Sequence, residues 1–127
     1  MIRGTTAQFK FKLPYAKEEL EWVTIKFWQN NNPNKYLPII KNLDHCDEFT
    51  PKELCVSLIP EETTLFVDKY KAYTQLRAQA NDGTVFGSRP ILITVYPMPD
   101  DIINEDIILP LQPDDGETWI ILDGENI

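Results

Sequence analysis

Between Tyr70 and Tyr96 the chain has a residue period of two that a strand pair satisfies and a helix does not. Ala72, Thr74, Leu76, Ala78 and Ala80 alternate with Tyr73, Gln75, Arg77 and Gln79, which puts a small apolar set on one sheet face and a polar or aromatic set on the other. Asn81-Asp82-Gly83 follows as a three-residue turn. The aspartate can bond nearby backbone, and the glycine accepts the positive φ that such loops need. The second strand resumes at Thr84 and ends in Ile91, Leu92, Ile93, Thr94 and Val95. Arg89-Pro90 interrupts it, and proline has no N–H for a ladder, so a bulge or an edge is expected there.

The segments before this hairpin have the same grammar. Thr6 to Leu13 is the first expected strand, with Phe9, Phe11 and Leu13 alternating with Gln8, Lys10 and Lys12, the pattern of a sheet wet on one side. Pro14 closes it, and Tyr15 to Leu20 is a polar connection with room for one helical turn. Glu21 to Gln29 is the second strand, with Val23, Ile25 and Phe27 on one face and Trp22, Thr24, Lys26 and Trp28 on the other. Either face could be the inner one; if the aliphatic set faces the core, two tryptophans on one outer face suggest a contact surface, unless loops or the tail cover them. Asn30 to Asn34 is a turn cluster, Lys35 to Leu43 a weaker strand split by Pro38, and Asp44 to Pro51 a loop. Lys52 to Ile59 is the fourth strand, with Leu54, Val56 and Leu58 on the face opposite Cys55, Ser57 and Ile59. Pro60-Glu61-Glu62-Thr63 has the proline and acids of a helix N-terminus, and Leu65, Phe66 and Val67 are expected to plug the space between sheets.

Some six short strands, turn signals every eight to twelve residues and almost no helix predict an all-β fold, an immunoglobulin-like antiparallel β-sandwich over residues 1–96. The chain has 127 residues, enough for one core without staples. Cys46 and Cys55 are expected as thiols rather than a disulfide. The opening residues lack the basic-then-apolar layout of a secretion signal, and no apolar run approaches the length of a membrane span.

Residues 97–127 break the pattern and form an acidic C-terminal arm. Nine of the twenty acids lie here (Asp100, Asp101, Glu105, Asp106, Asp114, Asp115, Glu117, Asp123, Glu125) and none of the twelve bases, so the net charge of −8 belongs to this segment. A balanced body with an acidic tail argues against nucleic acid, which needs clustered Lys and Arg. Pro97-Met98-Pro99 stiffens the exit. Beyond it lie Ile102-Ile103, then Ile107, Ile108, Leu109 and Leu111, then Trp119, Ile120, Ile121 and Leu122. Solvated tails lack such aliphatic clusters. The preferred expectation is an arm laying short strands or apolar plugs on a neighbour. The alternative is a tail folded back over its own sheet, over Trp22 and Trp28.

Signatures of catalysis are sparse. The single histidine, His45, sits in Asp44-His45-Cys46-Asp47-Glu48, but neighbours in sequence rarely converge on one ion, and no CxxC or HxxxH spacing occurs. Asp114-Asp115-Gly116-Glu117 lacks the alternating ligands of a calcium loop. No phosphate loop, GxGxxG or GxSxG is present. The expectation is a non-enzyme with no cofactor and no metal.

The opening Arg3-Gly4-Thr5-Thr6 with Phe9, Phe11, Leu13 and Pro14 resembles a group of small proteins of tailed bacteriophages and prophages that begin with an RGTT stretch and an FxFxLP strand. Gln75-Leu76-Arg77 followed by Asp82-Gly83 is similar to a later hairpin of that group. The resemblance covers roughly residues 1–96 and departs at Ala7, where a proline is common, and at the long acidic arm. It implies a particle or assembly component and transfers no functional residues. The expectation is a virion structural protein made in the host cytoplasm, touching other virion proteins, copies of itself included, but neither nucleic acid nor membrane. Its expected contacts are Ile107, Ile108, Leu109, Leu111, Trp119, Ile120, Ile121 and Leu122, with Trp22 and Trp28 as a second patch. The rival expectation is a binding module for a cell-surface glycan or receptor using Trp22, Trp28, Tyr36 and Tyr73.

Overall fold

A computed structural model describes residues 1–98 and 117–121. The strands are β1 (Ala7–Lys12), β2 (Leu20–Gln29), β3 (Ile39–Asn42), β4 (Cys46–Phe49), β5 (Glu53–Leu58), β6 (Ala72–Ala80), β7 (Val85–Gly87), β8 (Ile91–Ile93) and β9 (Glu117–Ile121). One four-residue helix, α1 (Pro60–Thr63), and 3-10 turns at Lys17–Glu19 and Leu43–His45 complete the described elements. No helix among them is long and apolar enough to cross a membrane.

Two sheets form an all-β sandwich. The first has the order β4-β5-β1-β9; the second has β3-β2-β6-β7, with β8 also paired to β6. The alternation read from sequence sets which side chains meet. Phe9 and Phe11 from the first sheet and Val23, Ile25 and Phe27 from the second are buried, and the Phe9 and Phe27 rings lie 5.0 Å apart across the gap. Phe66, fully buried, fills the space between sheets as expected, while Leu65 is only partly buried.

The hairpin turns at Asn81-Asp82-Gly83, where Gly83 has φ +92° and donates to the Ala80 carbonyl at 2.9 Å. Asp82 Oδ1 accepts from Thr84 N, which with the Thr84 hydroxyl holds its carboxyl below the usual range. The interruption at Arg89-Pro90 is a bulge: Ser88-Arg89-Pro90 spans what Gln75-Leu76 spans on β6, splitting the second strand into β7 and β8. Ser88 satisfies the displaced backbone, its hydroxyl accepting from Leu76 N and its own N–H donating to Leu76 O. β6 is interior to its sheet, whereas β7 and β8 lie on its outer side.

The stretch Asp44 to Pro51 is not a loop throughout, because Cys46–Phe49 pairs antiparallel with β5. Cys-Asp-Glu-Phe offers four half-buried or exposed residues with an offset in register. A short edge strand with its acids in water leaves no alternation to read.

The motif at the chain's start serves the fold. Gly4 takes φ +78°, and Thr5 Oγ1 donates to Ile2 O at 2.7 Å. Arg3 donates to the Thr64 carbonyl, and its own N–H donates to Tyr96 O. Buried Thr63 accepts from Gly4 N and donates to Thr5 O. Ile2 bridges Tyr96 in parallel, so these residues clamp the end of the last body strand to α1.

Candidate functional site

Two surfaces gather the residues that sequence singled out. The first is the outer face of the second sheet. Because β2 and β6 run antiparallel in register, Trp22 lies opposite Gln79, Thr24 opposite Arg77, Lys26 opposite Gln75 and Trp28 opposite Tyr73. Inward neighbours Val23, Ile25 and Phe27 are buried, which fixes the tryptophans outward. Trp28 stacks on Tyr73 with ring centroids 5.6 Å apart and planes at 26°. Lys26 Nζ lies 5.0 Å from the Trp28 ring, within the range of cation–π attraction. Trp22 Nε1 donates to Gln79 Oε1 at 2.8 Å and keeps 37 % of its surface exposed. These paired residues carry two cations, Lys26 and Arg77, and no carboxylate.

The same face extends to residues that alternation alone did not single out. Ile40 of β3 lies opposite Lys26 and is 56 % exposed; Leu92 of β8 lies opposite Tyr73 and is 52 % exposed. Their signal was that of ordinary strand residues, and only the strand order places them beside the aromatic pair. Tyr36 is off this platform by element: it belongs to the connection before β3, exposed, with Lys35 over its ring.

The second surface is the β1 edge of the first sheet. β9 runs parallel to β1, with Gln8 opposite Glu117, Phe9 opposite Thr118, Lys10 opposite Trp119, Phe11 opposite Ile120 and Lys12 opposite Ile121. Trp119, Ile120 and Ile121 therefore pair on their own chain, along β1. This part of the tail joins the sheet opposite the one bearing Trp22 and Trp28. Ile107, Ile108, Leu109, Leu111 and Leu122 lie outside the described residues, as do Asp114, Asp115 and Gly116.

The candidate metal loop is occupied with local structure. His45 Nδ1 accepts from Asn42 N at 3.1 Å, and Cys46 Sγ donates to Asn42 O at 3.3 Å. Burial, helped by the neighbouring Asp47 carboxylate, pushes the Cys46 thiol up to about 11, so it is protonated near neutrality and a poor nucleophile or ligand. Among the described residues no three His, Cys, Asp or Glu side chains group as a metal site would require, and no disulfide joins Cys46 to Cys55.

Comparison of the chain with family models, with curated proteins and with solved structures found no match.

Proposed function

We propose that this chain is a structural subunit of a bacteriophage particle, an adaptor, connector or decoration protein whose C-terminal arm engages neighbouring subunits. It is non-enzymatic, needs no cofactor, is made in the host cytoplasm and ends in the virion. The feature that carries this reading is the acidic extension with its aliphatic clusters; its strand β9 pairs with β1 of the same chain, in the strand-addition geometry by which one chain can also capture another. The likeness of Arg3 to Thr6 and of the Phe9-Phe11-Leu13 strand to phage proteins supplies the particle context.

Strand order supports an immunoglobulin-like reading of the body. That fold places its fourth, fifth and second strands together, and its third, sixth and seventh in the facing sheet with an optional extra strand. Here β4-β5-β1 and β3-β2-β6-β7 follow that order if β1 stands for the second strand. The place of the first strand, beside β1, is then taken by β9 from the other end of the chain.

Deleting residues 98–127 tests the function. The expected product melts cooperatively with the circular dichroism of a β-sandwich, yet is missing from purified particles of the phage or prophage that encodes it. Normal incorporation of the deleted chain rejects the arm.

A second reading is favoured by the outer face of the second sheet. Stacked Trp28 and Tyr73, exposed Trp22 and the side-chain amides of Gln75 and Gln79 are the apolar faces and polar edges that a sugar ring requires. Glycan-array binding by the whole chain, abolished by Trp28→Ala, is its expected result; an array with no binding rejects it.

A further inference from the structure

We propose that β9 is an exchangeable strand, which pairs with β1 of a second copy of this chain as concentration rises, in solution as in assembled particles. The inference rests on the reading of the protein as an assembly subunit and specifies the partner, the donated strand and the receiving edge.

β1 is unevenly supported. On one side it is bound by β5 through six antiparallel residue pairs; on the other its neighbour is β9, through five parallel pairs. Among the described residues β9 is outermost in the sheet order, with β1 as its strand partner there. Parallel ladders are slightly weaker per residue than antiparallel ones. Among the described residues, the apolar cluster joining the sheets draws its members from Met1 to Val95. Taking β9 away therefore opens an edge without dismantling the body.

The connection has the reach for exchange. Residues 99–116 separate the end of the body from β9. At a maximum of about 3.5 Å per residue such a stretch spans up to roughly 60 Å, against a diameter of roughly 33 Å for a domain of this size. It can meet its own β1, which a parallel pairing requires of any connection, and equally the β1 of a touching neighbour. The bonds made are the same in both arrangements, which is the condition under which swapping costs least. The choice then falls to local concentration, and copies held side by side in a particle supply it.

The test uses full-length chains in a Cys46→Ser, Cys55→Ala background, one bearing Gln8→Cys and another of different mass bearing Glu117→Cys. Only exchange brings these two positions together across chains. On oxidation, the mixed disulfide dimer is expected to exceed either self-dimer by about tenfold and to rise with concentration. A mixed dimer no more abundant than the self-dimers overturns the proposal, and so does a chain bearing both cysteines that closes only on itself at every concentration. Light scattering of the unsubstituted chain covers the case in which a variant misfolds. Association that grows with concentration and is lost on deleting 98–127 supports exchange; a monomer throughout overturns it. Failure here with the deleted chain still excluded from particles removes the exchange and leaves the arm, whereas incorporation of the deleted chain removes both.

Discussion

The seam between β2 and β6 and the seam between β1 and β9 are built on opposite principles. The first joins nine residue pairs antiparallel in the interior of its sheet, and its inward side chains include Ile25, Phe27, Leu76 and Ala78 with no exposed surface. The second joins five pairs in parallel at the rim. Burial of a large apolar side chain contributes about 1.5–3 kcal/mol, so the inner seam is held by packing. The outer one is a shorter ladder, its backbone bonds each worth about 1 kcal/mol net. The contrast separates what the protein keeps from what it can lend.

The largest effect is expected where the two sheets meet. Phe27→Ala removes a ring that touches Phe9 and leaves a cavity in a site with no exposed surface, for a loss of about 3–5 kcal/mol of unfolding free energy. Urea melts measure it, and a loss near zero would mean that the sheets do not close on each other as described. Next comes the bulge that shapes the rim of the same sheet. A Cβ on Gly87 would sit 2.5 Å from the Leu76 carbonyl oxygen and 3.3 Å from Arg77 Cα, both backbone atoms. Gly87→Ala is therefore expected to cost about 1–3 kcal/mol, with unchanged stability arguing for a different β6–β7 register.

Deleting residues 98–127 should cost less than either. Five residues of ordering entropy, about 1–2 kcal/mol each, largely cancel the bonds that β9 makes. The expected loss is no more than about 2 kcal/mol. A loss as large as that of Phe27→Ala would place β9 among the permanent strands and erase the contrast between seams.

Sequence disclosed the inner seam well and the outer one poorly, for a physical reason. Ile25, Phe27, Leu76 and Ala78 lie on faces of consistent period, and the turn chemistry of Asp82 and Gly83 is local, so β2, β6 and the turn could be read from neighbours in the chain. The bulge announced itself through Pro90. β4 did not, because Cys46 to Phe49 has no buried face to generate a pattern. Trp119, Ile120 and Ile121 could be recognised as apolar within an acidic segment. Their partner could not, since a parallel pairing with β1 joins residues more than a hundred positions apart and leaves no short-range trace. The tryptophans were legible as a pair on one face, but that this face is the outer one, and the company of Ile40 and Leu92, depended on the packed sheets.

The smallest effect concerns the opposite rim of the first sheet, where β4 lies as β9 does on the other side. Cys46 opens β4, and its thiol is raised from 9.0 to about 11, chiefly by burial and then by Asp47. The raised value means the folded state favours the protonated thiol. That contribution to stability is complete below the unfolded value and disappears as pH climbs from 9.0 through about 11. At pH 8 the folded chain should present roughly a hundredfold less thiolate at Cys46 than the unfolded chain, read as slow alkylation by iodoacetamide in a Cys55→Ala background. The rate should be the same with residues 98–127 present or deleted. Fast alkylation only in the deleted chain would show that losing β9 loosens the sheet through to its far edge, and the strand could then not be lent at low cost. Slow alkylation in both confines the opening to the β1 rim, where a neighbour's strand would enter.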